Sequence, residues 1–258
     1  MILDDIAAYT RLRVESLKKQ KSLYAVRDEA EGRPIGKDFQ AALAAPGLSV
    51  IAELKQASPS KGLIAPDFER IYLDKARQYE EGGAAAISCL TEPKFFLGSD
   101  EYLRQVRAAV QLPILRKDFT VDEYQIYEAK CLGADAVLLI CSLLSQGQLA
   151  EYLCQAHELG LSALVEAHDA DEVGSALAAG AAIIGVNNRN LKDFSVNPLN
   201  SLRLREQIPA EKLFVAESGI AKASDCAGLK AAGVQAVLVG EALMRSPNPA
   251  AMIKEMRA

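Results

Sequence analysis

Apolar and polar positions along the chain repeat one unit: an amphipathic stretch ends at a glycine, and an unbroken apolar run begins within a few residues. Five copies can be read directly, GGAAAISCL from Gly82, LGADAVLLI from Leu132, LGLSALVEA from Leu159, AGAAIIGVNN from Ala179 and AGVQAVLVG from Ala232. The glycine suits the left-handed geometry that closes a helix, and the apolar run suits a parallel strand covered on both faces. Spacing shows where further strands belong. Gly133 to Gly160 is 27 residues and Gly160 to Gly180 is 20, one strand and one helix each, whereas Gly83 to Gly133 is 50 and Gly180 to Gly233 is 53. PILRKD from Pro113 and LFVAES from Leu213 fill the two long gaps, each between amphipathic segments.

The opening stretch from Ser49 to Ile64, SVIAELKQASPSKGLI, supplies one more strand and brings the total to eight. Eight strands alternating with helices predict a single α/β domain of the (β/α)8 TIM barrel type, because open doubly wound sheets more often stop near about five or six strands. No GxGxxG follows the first strand. Upstream, residues 1 to 48 contain no convincing strand. Leu3 to Gln20 has helical periodicity with many charges, Ala30 to Gly36 breaks it, and a short apolar helix is expected around Phe39 to Ala45. Residues 1–48 therefore read as an N-terminal helical extension packed across one end of a barrel formed by residues 49–258.

Strand alternation sends Ile51, Glu53 and Lys55 to one face, so two opposite charges share the inward side of an apolar strand and need a partner or a purpose. Gln56 to Pro66 follows with Pro59, Gly62, Pro66, Ser58, Ser60 and Lys61, which reads as neither helix nor strand but as a mobile loop over the strand end. The other strand ends are just as polar. The third carries Lys117 and Asp118, the fifth Glu166, the sixth Asn187 and Arg189, and the seventh Glu217 and Ser218. Parity places Glu53, Lys55, Lys117, Glu166, Asn187 and Glu217 inside the barrel at the end where such folds hold their active sites. A self-neutralising polar cap is the plain alternative, but it desolvates several charges for stability that apolar packing would supply. Asp118 has the opposite parity and reads as a structural partner or helix cap, and His168 as a loop residue.

A phosphate site is suggested by Ser218, Gly219 and Ile220 after the seventh strand and by Gly240 before the helix-like stretch Glu241 to Arg245. Backbone amides in these two loops commonly hold a phosphate in such barrels, although both glycines also suit tight turns. Composition narrows the partners. The chain is half apolar with net charge −5, and its 29 basic residues are scattered rather than gathered in a stripe, which argues against nucleic acid. With no run of 18 apolar residues and no cationic leader, no membrane contact is expected and a cytoplasmic protein is predicted. Cys89, Cys131, Cys141, Cys154 and Cys226 lack CxxC spacing and lie in apolar segments, so buried reduced thiols are expected. His157 and His168 are the only imidazoles, and neither has metal-motif spacing.

In order, IAELKQASPSKG, LRKDF, LVEAH, IGVNNRNL, VAESGI and LVGEALM resemble the indole-3-glycerol-phosphate synthase family from about residue 49 to 246, and the N-terminal helices resemble it too. The resemblance implies ring closure of 1-(2-carboxyphenylamino)-1-deoxyribulose 5-phosphate, with loss of carbon dioxide and water, and no metal or organic cofactor. It assigns the general acid to Lys117 and the general base to Glu166, while Lys55 orients the substrate carboxylate and is a second donor for dehydration. Glu53, Asn187 and Glu217 would hold the lysines and sugar hydroxyls, and Ser218 the reacting region. Ser58, Gly219 and Gly240 would bind the phosphate, Arg189 matches a substrate-site position, and Phe96 and Phe119 resemble walls around the anthranilate ring. Glu241 departs from the family's frequent serine, which removes a side-chain phosphate contact there. Association with other tryptophan-pathway enzymes stays open. Isomerases of tryptophan or histidine synthesis share the fold and phosphate loops but not the lysine pair, and a non-catalytic phosphate-binding scaffold would have no use for Lys55, Lys117 and Glu166 together.

Overall fold

The computed structural model describes residues 2–190 and 194–258. Leu191, the last residue of IGVNNRNL, lies outside them. Eight parallel strands close into a barrel: β1 Ser49–Leu54, β2 Ala86–Leu90, β3 Ile114–Lys117, β4 Ala136–Ile140, β5 Ser162–Ala167, β6 Ile183–Asn187, β7 Leu213–Glu217 and β8 Ala236–Val239. Each pairs with its sequence neighbours, and β1 closes the ring against β8 through Ser49 to Ala52 beside Ala236 to Val239. The helix-ending glycines behave as their positions predict. Gly83, Gly133, Gly160, Gly180 and Gly233 all have φ between 68° and 89°, a region that costs other residues strain.

Alternation builds the interior in layers from alternate strands. Ile51, Leu115, Leu164 and Val215 come from the odd-numbered strands and lie in one apolar cluster with Ala86, Ala136, Ile183 and Ala236 from the even-numbered ones. Two residues further along the odd strands stand Glu53, Lys117, Glu166 and Glu217. The change from oil to charge is therefore a single step of the pleat on each strand.

The N-terminal segment does more than cover one end. α1 (Ile2–Gln20), α2 (Leu23–Glu31) and α3 (Phe39–Leu43) run from mouth to base. Ile2, Leu3 and Ile6 border the mouth, whereas Phe39 and Leu43, both fully buried, plug the opposite end under Ile51 and Ala86. Leu43 O accepts a hydrogen bond from Ser49 Oγ at 3.1 Å, which fixes α3 to the start of β1. Between them α2, which the hydrophobic pattern did not reveal, starts at a Ser22 cap and packs on the helix Tyr124–Leu132. Buried Asp135 ties down the connector by accepting from Lys37 N at 2.6 Å, Ile114 N at 2.8 Å and Arg107 Nη1 at 2.6 Å.

The expected loop from Gln56 to Pro66 contains a small antiparallel hairpin, Ala57–Ser58 against Gly62–Leu63, with Gly62 at φ 63°. Its turn residues serve a tight reversal, which the strand-breaking composition concealed. Among the thiols, Cys89, Cys141 and Cys226 are buried as expected, Cys131 is partly covered and Cys154 is exposed. Cys154 sits in the helix Gln146–Glu158, where helical periodicity turns it outward although its neighbours in sequence are apolar.

Candidate active site

At the C-terminal end of the strands lies a cavity of about 570 Å³. Glu53, Lys55, Ser58, Phe96, Lys117, Phe119, Glu166, Asn187, Arg189, Glu217, Ser218, Gly219 and Gly240, the whole set singled out in the sequence, line it. Its centre is Lys117. The ammonium donates to Glu166 Oε2 at 2.9 Å and Glu217 Oε2 at 3.0 Å, so one cation lies between carboxylates from β5 and β7. Burial alone lowers the Lys117 pKa, but Glu166, Glu217 and Glu53 outweigh it and hold the group protonated.

The two carboxylates are not equivalent. Burial pushes both upward; at Glu166 the Lys117 and His168 charges, with an Asn187 Nδ2 hydrogen bond at 3.1 Å, more than reverse the effect and hold it below the usual range. At Glu217 burial prevails over Lys117, and Glu166 and Glu53 add repulsion, so its pKa is raised. Consistently, Glu217 Oε1 is buried without a hydrogen-bond partner among the described residues. The site thus holds an acid, Lys117, beside one carboxylate that stays ionised and one that readily takes a proton.

Lys55, just beyond β1, pairs with Glu53 Oε1. Gly240 makes room for that pair, because a Cβ there would collide with Glu53 Oε1 and stand 3.1 Å from Lys55 Nζ; Gly185 does the same for Glu217 Oε1. Phe96 and Phe119 face each other with ring centroids 5.7 Å apart and planes inclined by 40°. Ser58 is buried on the hairpin, and Lys61 at its tip lies 3.7 Å from Glu241, which also accepts from Arg245 Nε at 3.2 Å. Arg189 donates its Nη1 to Phe194 O at 3.1 Å and its amide to Asn187 Oδ1 at 2.9 Å. Asp118 points away, as its parity requires, and accepts from both Thr91 Oγ1 and Arg13 of α1.

Three residues that shape the site were missed in the sequence. Glu92 is fully buried and accepts the amides of Lys94, Phe95 and Phe96 at 3.0, 2.7 and 2.9 Å, which folds the loop carrying Phe96. Asn188 donates to Ser218 O at 3.0 Å and accepts from Ser201 N and Oγ at 2.9 and 2.7 Å, holding Ser218 at φ 66°. The third is His168, whose Nε2 stands 3.4 Å from Glu166 Oε1. One signal could have located it: Asp169 and Glu172 have capping-box spacing, which predicts a helix start directly after His168 with the Glu172 carboxylate reaching back toward it.

Fold and site together define a (β/α)8 barrel with a cluster of acid–base groups at its mouth. The family model for indole-3-glycerol phosphate synthase matches residues 3–256. Relatives with that name include one from Ruminiclostridium cellulolyticum, 54% identical, aligned over 100% of this chain and 99% of its own length. Another, from Endomicrobium trichonymphae, is 52% identical and covered fully on both sides. Among solved structures, the 3-hexulose-6-phosphate synthase of Salmonella typhimurium superposes with a TM-score of 0.65 at 15% identity, over 81% of this chain and 97% of that one. At that identity the likeness speaks for the barrel alone. The chain belongs to the indole-3-glycerol phosphate synthase family.

Proposed function

We propose that the chain, as an indole-3-glycerol phosphate synthase of tryptophan biosynthesis, performs its reaction with Lys117 as acid and Glu166 as base. The observation that carries this reading is the Lys117 ammonium held between two carboxylates whose proton affinities are shifted in opposite directions. The substrate is 1-(2-carboxyphenylamino)-1-deoxyribulose 5-phosphate. Its ring carbon bearing the carboxylate attacks the ribulose C2 carbonyl, and Lys117 protonates the oxygen as charge develops on it. Rearomatisation then expels carbon dioxide. In the last phase the new hydroxyl leaves as water, assisted by a proton from Lys55, while Glu166 removes a proton from the ring system to complete the indole.

The remaining groups serve position. Lys55 exchanges Glu53 for the substrate carboxylate, Asn187 and Ser218 orient the reacting carbons, and Phe96 and Phe119 flank the anthranilate ring. Ser58 and the backbone around Gly219 and Gly240 take the phosphate, with Arg189 at the edge. Glu241 sits near that end as an anion, so its pairing with Lys61 and Arg245 limits its repulsion of the phosphate. The division into an extension, 1–48, and a barrel, 49–258, belongs to the same reading and is supported by the first barrel strand beginning at Ser49. A cytoplasmic location is supported by a charged substrate that does not cross membranes unaided, and among the described residues no helix is long and apolar enough to span one. The test is a direct assay of indoleglycerol phosphate formation with and without a chelator. Turnover that is unchanged by the chelator is expected; absence of product from the authentic substrate would overturn the reading.

A further inference from the structure

His168 is a half-buried ionisable group that the reaction described above does not use. It follows β5, one residue before the Asp169 cap of the helix Ala170–Ala178, and Glu172 on the first turn of that helix grips it twice. Glu172 Oε2 accepts the His168 backbone N–H at 2.8 Å and lies 3.1 Å from Nδ1, so the ring is fixed in its plane with Nδ1–H directed at Glu172. The opposite nitrogen, Nε2, is buried, has no hydrogen-bond partner among the described residues, and stands 3.4 Å from Glu166 Oε1. A second amide contact holds the same loop, since Asn200 Nδ2 donates to His168 O at 3.0 Å.

The groups acting on the ring are anionic: Glu166 from its own strand, Glu172 from the helix that follows and Glu217 two strands away, with Lys117 on the far side of Glu166. Burial alone would lower the His168 pKa, but the hydrogen bond with Glu172 and the charges of Glu166, Glu172 and Glu217 outweigh it and raise it. Glu166 has three holds of different kinds. Lys117 takes Oε2, Asn187 donates to Oε1, and His168 stands beside Oε1. Lys117 must turn toward substrate oxygen to act as the acid, and when it does, Glu166 loses its closest cation while remaining buried. A buried carboxylate without a nearby positive charge takes up a proton and ceases to be a base.

We propose that His168 is a positioning residue which, anchored by Glu172, supplies the second positive charge that keeps Glu166 ionised and oriented while Lys117 engages the substrate. This rests on the reading of Glu166 as the base. It assigns the Glu172–His168 pair, outside the set of substrate-touching groups, to the proton-transfer phase of the reaction.

The experiment compares wild type, His168→Asn, Glu172→Gln and Glu166→Gln by pH profiles of kcat and KM and by nuclear magnetic resonance titration of the two histidine rings. His168→Asn should lower kcat at neutral pH about tenfold with KM little changed, and should move the acid limb of kcat to higher pH as Glu166 gains proton affinity. Glu172→Gln should move that limb in the same direction by less, and the ring resonance that disappears in His168→Asn should titrate at lower pH in it than in wild type. A merely structural role would lower thermal stability and leave the acid limb in place. The proposal is overturned if the limb is unmoved in His168→Asn, or if KM rather than kcat carries the loss. Should His168→Asn fail to fold, Glu172→Gln decides by the same two readouts. Loss of turnover in Glu166→Gln with a normal His168→Asn sinks only the role of His168; normal turnover in Glu166→Gln sinks the reading of the base as well.

Discussion

The two ends of the barrel interior are built on the same strands with opposite chemistry. At the base, Ile51, Leu115, Leu164 and Val215 close over Phe39 and Leu43, and every side chain is satisfied by shape. One pleat step higher on the same four strands, Glu53, Lys117, Glu166 and Glu217 must be satisfied by polar partners, Lys55 for Glu53 and Lys117 with Asn187 for the others, and the arrangement leaves Glu217 Oε1 unpartnered among the described residues. The base could be repacked with other apolar residues of similar volume at modest cost. No comparable exchange is open at the mouth, where removing one charge leaves its partners buried and alone. Stability and chemistry are thus separated along the barrel axis by about two residues' rise, roughly 7 Å.

Substitutions at each end should separate the two functions. Lys117→Ala should keep the circular dichroism spectrum and lose about a thousandfold in kcat, since the developing oxyanion loses its acid; near-normal turnover would refute the role. Phe39→Ala should do the reverse, costing about 3–5 kcal/mol in denaturant unfolding with kcat retained at temperatures where the variant is folded. If Phe39→Ala instead abolishes activity in the folded state, the base and the mouth are coupled and the separation fails. Glu166→Gln should slow the overall reaction about a hundredfold by arresting dehydration, with a decarboxylated intermediate accumulating in single-turnover analysis; unchanged kinetics at every step would exclude it as the base.

Smaller effects sharpen the boundary. Asp118 belongs to neither end, because it faces the helices. Burial alone would raise its pKa, but Arg13, Arg116 and Thr91 hold it below the ordinary range. A depressed carboxylate contributes stability that is present above its unfolded pKa and lost as pH falls through the folded one. Arg13→Ala should therefore cost about 1–3 kcal/mol near neutrality, and the difference from wild type should shrink in acid. A deficit independent of pH would mean that packing of the Arg13 stem carries the effect. The smallest change is expected at the hairpin: Ser58→Ala should raise KM about threefold with kcat nearly constant, as loss of one hydrogen bond to the phosphate requires. A fall in kcat with KM unchanged would place Ser58 with the reacting groups instead.

Most of the barrel was readable because its signals are local and repeated. A glycine that must adopt positive φ and an apolar run covered on both faces recur in five of the units, and parity alone sent Lys117, Glu166 and Glu217 inward. What escaped depends on contacts distant in sequence or on geometry just past a strand end. Glu92 looks like any acidic loop residue until three amides converge on it. Asn188 shares a motif with Asn187, yet it points the other way and works through Ser218 and Ser201. His168 lies one residue past β5, where alternation has ended and only the cap that follows sets direction. The hairpin from Ala57 to Leu63 was hidden by prolines and serines that suit its turn rather than its strands. Cys154 was misjudged by its neighbours because composition does not know which side of a helix a residue occupies.

The course of the extension has a practical bearing on how this chain tolerates being joined to others. Ile2 and Leu3 border the cavity, whereas the last helix, Pro249–Arg257, ends beside Lys230, whose Nζ donates to Arg257 O at 3.1 Å at the foot of the barrel. The first and last helices therefore present their outer ends on opposite faces. A partner fused beyond Arg257 would hang below the barrel and leave the mouth clear, whereas one fused ahead of Ile2 would crowd the residues that border the cavity.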